Sequence, residues 1–88
     1  MTQNAVNTAA ASFVSITASL EDWAMEAAEM ADITDTAHAI ANAAREALVD
    51  GAALWTAYAD GYTVDTNTLR IQINTLRAMV EWAAGLAA

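Results

Sequence analysis

Apolar residues recur at steps of three and four along the first third of this chain: Val6, Ala9, Phe13, Ile16, Leu20, Trp23, Ala27 and Met30. That alternation is the heptad period of a helix packed lengthwise against other helices. It predicts a first helix over residues 7–30, with Trp23 in its core-facing seam and Asn4, Asn7 or Thr8 as its cap. Residues 1–6 are polar and lack a cap pattern, so they read as a flexible tail, or as an arm that orders only on assembly.

A second stripe, Ile40, Ala44, Ala47, Gly51, Leu54 and Tyr58, predicts a helix over residues 36–59 behind Thr34 or Asp35 as cap. Asp50-Gly51 is a turn signal, and glycine inside a helix costs about 1 kcal/mol relative to alanine. The stripe nevertheless keeps its phase across it. A continuous helix with a close-packing notch at Gly51 is therefore expected, the alternative being two shorter helices that meet there. The N-terminal half of the stripe is small, which leaves room for large side chains of the first helix or of another subunit.

Gly61 suits the end of that helix, and Asp65 or Thr66 the cap of a third over residues 67–86. The third helix is apolar on two adjoining stripes, Leu69, Ile73, Leu76, Val80, Ala83 and Met79, Trp82, Leu86. A face that wide suggests more than one neighbour. Its remaining line carries Arg70, Asn74, Arg77 and Glu81, while Asp22, Glu26 and Glu29 share a face of the first helix. These faces are either solvated surface or a complementary pair that sets helix order or register between subunits. Short connectors make sequential helices antiparallel. The expected fold is all-α, a single domain over residues 1–88: an antiparallel three-helix bundle, or an extended three-helix unit that self-associates.

Composition adds a surplus. A domain of 88 residues has a marginal core, yet 57% of the residues are hydrophobic, and the large ones are too many for a thin three-helix unit to hide. A partner surface follows, most simply a second copy. The formal charge is -8, and Arg45, Arg70 and Arg77 are the only fixed cations. Direct nucleic-acid binding and attraction to anionic membranes are disfavoured for want of clustered positive charge. Proline, lysine and cysteine are missing. The first agrees with uninterrupted helices, and the last removes disulfides, thiol nucleophiles and zinc–thiolate sites. An acidic, lysine-free chain fits a salt-loving source or a GC-rich genome. Residues 1–20 carry no charged side chain, but no basic segment precedes them and Ser12, Ser15, Thr17 and Ser19 interrupt the run. Neither a signal peptide nor a membrane span is expected, and the chain reads as soluble, cytoplasmic or part of a virion.

Candidate chemistry is sparse. His38 is the only histidine, and no motif places it beside a nucleophile. Asp35, His38 and Asn42 can share a helical face, and Glu26, Glu29 and Asp32 lie near the same end, which makes a remote carboxylate–histidine metal site conceivable. Asp35 is better explained as a cap. The acidic pairs Glu21-Asp22, Glu26 with Glu29, and Glu46 with Asp50 fall mostly opposite the apolar seams. Gly51, Gly61 and Gly85 are too far apart for a phosphate loop. Small, acidic, cysteine-free helical proteins resemble the secreted helical-hairpin family with a Trp-x-Gly turn. Here Trp55 is followed by Thr56 and Ala57, and three helices are expected instead of two, so the chain is not assigned to it.

The expected function is that of a non-enzymatic structural subunit with no cofactor, held in a homo-oligomeric filament or virion-type shell by helix–helix packing. Trp55, Met79, Trp82 and Leu86 are the expected interface anchors, with Arg70 and Arg77 meeting a neighbour's acids. The alternative is a small helical adaptor that binds another protein through the same surface.

Overall fold

The computed structural model describes residues 1–87 and consists of α1 (Gln3–Ala27), α2 (Thr34–Ala59) and α3 (Thr66–Ala87). α2 is the central helix. It packs most extensively on α3 and next on α1, whereas α1 and α3 touch least. The expected all-α three-helix unit is what forms, with all three helices in mutual contact as an elongated bundle. Its extents are 46 × 19 × 19 Å and its radius of gyration is 14.2 Å. An average compact chain of this length has a radius near 12 Å.

α1 starts earlier than the sequence suggested. Thr2, in extended conformation, caps it by accepting the Ala5 N–H at 3.1 Å, so Asn4, Asn7 and Thr8 lie inside the helix. Val6 is buried, and Gln3 clasps the α2–α3 connector. The Gln3 side-chain amide donates to the Thr63 carbonyl at 2.8 Å, and its carbonyl accepts the Thr63 N–H at 2.9 Å. The Tyr62 hydroxyl donates to the Met1 carbonyl. A carboxamide matches the donor and acceptor of one backbone residue, as a neighbouring strand would. The expected flexible arm is instead a fastened first turn.

Gly51 does not break α2. It is buried, and a Cβ built on it would lie 3.0 Å from Cζ of Phe13 and 3.1 Å from Cγ1 of Ile73. One residue from each helix meets at this layer, and a methyl there would be tighter than ordinary van der Waals contact with both of the others. Leu20 and Ala27, one and two heptads beyond Phe13 on α1, are buried, as are Ala44 and Ala37 at the matching steps back along α2. The small stripe of α2 thus receives the large side chains of α1, as its composition suggested.

The helix ends follow local chemistry. At the end of α2 the Tyr62 N–H bonds the Ala57 carbonyl and the Gly61 N–H the Tyr58 carbonyl, with Gly61 at φ 99°. This is a Schellman stop, which needs a left-handed residue that only glycine adopts without strain. Asp65 caps α3, accepting the Thr68 N–H at 3.1 Å and the Thr68 hydroxyl at 2.8 Å. Those bonds, the backbone one foremost, hold its carboxyl below the usual carboxylate range. The start of α2 departs from expectation: Ile33 is the cap residue and offers no side-chain acceptor, while Asp32 takes the Thr34 N–H at 3.4 Å.

The largest correction concerns α1. Val6, Phe13, Leu20 and Ala27 are buried as expected, but the flank that turns inward holds Ala10, Thr17 and Ala24. Ile16, Trp23 and Met30 face outward at 39%, 36% and 48% exposure, and Thr17 is completely buried. Thr17 tolerates this because its hydroxyl donates to the Phe13 carbonyl one turn back, at 2.8 Å. In α2, Ala57 is buried where Tyr58 was expected.

Candidate functional site

The misplaced flank of α1 makes the main surface feature. Ala9, Ser12 and Ile16 from α1 face Asp50 and Ala53 from α2 across a groove floored by Phe13, Leu54 and Ala57. Its volume is about 230 Å³, and it lies open along one side. Small-molecule pockets enclose roughly 300–1,000 Å³. This groove is too shallow and open for that, and fits a row of side chains from another helix.

The charge around it is uneven. No charged side chain occurs before Glu21, so the outward faces of the first two-thirds of α1 are neutral and in places apolar, including Val14 at 39% exposure. Asp50 is the one charged residue lining the groove, and Glu46 lies one turn before it on the same flank of α2. A second, smaller groove runs between α1 and α3, lined by Ala10, Val14, Val64, Thr68 and Gln72 among others.

The residues singled out from the sequence scatter over the molecule. Met79 is 6% exposed and belongs to the monomer core, so it cannot anchor an interface. Trp55 and Trp82 are half-buried and pack against that core, with Trp55 also edge-on to Tyr58 at 5.9 Å. Leu86 is exposed. Arg70 and Arg77 are exposed on the outer line of α3, beside Ile71, which is 62% exposed. Among the described residues the one guanidinium hydrogen bond runs from Arg45 to Asn42. Of the residues read as core or solvated face, Ile16 and Asp50 come together across the groove, and neither Arg70 nor Arg77 lines it.

No chemistry gathers around His38, which is exposed near the start of α2. Among the described residues no three His, Asp or Glu side chains converge to hold a metal ion, and no buried side-chain polar atom lacks a partner. Nor is any described helix long and apolar enough to cross a membrane. Comparison with protein-family models, with curated proteins and with solved structures finds no match.

Proposed function

We propose that this protein is a non-enzymatic structural subunit whose work is done by packing against copies of itself. The neutral, partly apolar outer side of α1 carries this reading. Outward apolar residues on an uncharged stretch of helix favour cover by a neighbour, and in α1 that stretch ends at Glu21.

Apolar burial here also has to overcome like charge, since every copy carries -8. A neutral helix is where two such molecules can approach without desolvating acids.

The test is light scattering on a sizing column over a concentration series, at low and at molar salt. Mass that rises with concentration supports the reading. Strengthening by salt marks apolar burial as the driver, and dissolution by salt marks ion pairs. A monomer throughout refutes self-association and leaves the exposed side of α1 to a different protein.

A further inference from the structure

The proposed self-association needs two mating surfaces, and the molecule offers a complementary pair on opposite sides. One is the α1–α2 groove, with Asp50 in its wall and Glu46 a turn away. The other is a ridge on the exposed side of α3, where Arg70 and Arg77 share a line with Glu81 and Ile71 projects about 100° further round the helix. Two of the three cations of the chain lie on that ridge. Neither engages an acid of its own chain among the described hydrogen bonds, which leaves both available to a neighbour.

Resting on the reading of self-association, we propose that α3 of one copy lies in the α1–α2 groove of the next. Arg70 and Arg77 then meet Asp50 and Glu46, and Ile71 packs against Ala9, Ile16 and Ala53. The charges fit in sign and in reach. Arg70 and Arg77 stand about 10 Å apart along the helix and Glu46 and Asp50 about 6 Å, a difference that long arginine side chains span. The groove runs from Val6 to Ile16, about 15 Å along α1, and so seats about three turns of α3. Ridge and groove are different surfaces, so each copy that fills one groove presents its own groove to the next. Such heterologous contacts do not consume themselves in a dimer, and they continue into a stack or close into a ring. Copies stacked this way repeat at about the 19 Å thickness of the molecule.

Charge swapping tests this. Sedimentation velocity at low salt is run on wild type, on the groove variant Glu46→Arg/Asp50→Arg, on the ridge variant Arg70→Glu/Arg77→Glu, and on an equimolar mixture of the two variants. Circular dichroism checks that each keeps its helix content, as exposed positions should allow. Each variant alone is expected to need at least about tenfold more protein to assemble, because like charges then face each other. The mixture is expected to assemble like wild type, since each variant's ridge then fits the other's groove. Asp50→Asn, which removes charge without reversing it, is expected to fall in between. Wild type that assembles while the variants match it overturns this contact and leaves self-association standing. Wild type that stops at a closed dimer overturns the stack. Wild type that stays monomeric removes self-association and this contact together.

Discussion

Gly51→Ala sets two effects of opposite sign against each other. By helix propensity alone the change gains about 1 kcal/mol, because glycine in a helix interior is that much worse than alanine. The packing says otherwise. The new methyl would sit 3.0 Å from Cζ of Phe13 and 3.1 and 3.3 Å from Cγ1 and Cδ1 of Ile73. Moving α2 away from one neighbour drives it into the other, so the strain cannot be relieved by a simple shift. Overpacking a core by one carbon costs about 1–3 kcal/mol. The middle of that range less the propensity gain leaves a net loss of about 1 kcal/mol, or about 4–8 °C in Tm for a domain of this size. Thermal unfolding followed by circular dichroism reads this directly, at a protein concentration low enough that assembly adds no stability. A companion variant shows where the loss comes from. Phe13→Leu removes the ring atom nearest the methyl, so Gly51→Ala should cost less in that background, with a favourable coupling of at least about 0.5 kcal/mol. If Gly51→Ala raises Tm, or if the two changes simply add, the three-residue layer does not set the spacing of the helices and the reasoning is refuted.

The other two glycines should give opposite signs. Gly61 sits at φ 99° with open space around its Cα, so Gly61→Ala is expected to lose about 1–2 kcal/mol through backbone strain alone, whereas Gly85→Ala, also in open space but within α3, gains up to about 1 kcal/mol; urea titration distinguishes them. Thr17→Val is expected to stabilise by about 0.5–1 kcal/mol, because the Phe13 carbonyl keeps its helical N–H partner and no orphan is left; a loss of stability in the same titration would mean the hydroxyl contributes more than it costs. Asp65 contributes stability that is fully present above the ordinary carboxylate value of 3.8 and is lost as pH falls through its lower folded value. Asp65→Ala should therefore lower Tm at neutral pH and match wild type in strong acid, while Asp65→Asn, still a capping residue, flattens the acid limb; parallel Tm profiles for all three would contradict the cap.

What was legible in the sequence followed from residue type. The main stripes of α2 and α3 were phased correctly, Tyr58 apart, because Ile40, Leu54, Leu69, Ile73 and Leu76 fall on the buried side, and Gly51 could be read as a notch because the stripe ran through it. α1 was half legible. Its central line, Val6, Phe13, Leu20 and Ala27, has two apolar flanks, and the larger side chains argued for the flank of Ile16 and Trp23. The position of α3 decides which flank turns inward, and that is a tertiary fact absent from the period of one helix. Thr17 looked polar because its bond partner is its own backbone. The Gln3 clasp joins residues 60 positions apart, so no local pattern announces it. The arginine line was visible from the start; the α1–α2 groove was not, because it exists only where Ile16 and Asp50 face each other from two different helices.

Three antiparallel helices are an odd number, and this gives the molecule a direction. The start of α1 is fastened beside the α2–α3 turn, while the far end of α3 lies at the opposite pole of a body 46 Å long. Joining those poles within one chain would take about 14 extended residues, so circular permutation with a short linker should fail. Tandem genetic fusion is the easy operation, because one unit finishes where the next can begin. In a side-by-side stack the two poles would line opposite margins. A fluorescent protein or peptide tag at either pole would then decorate one margin and leave the packed surfaces clear.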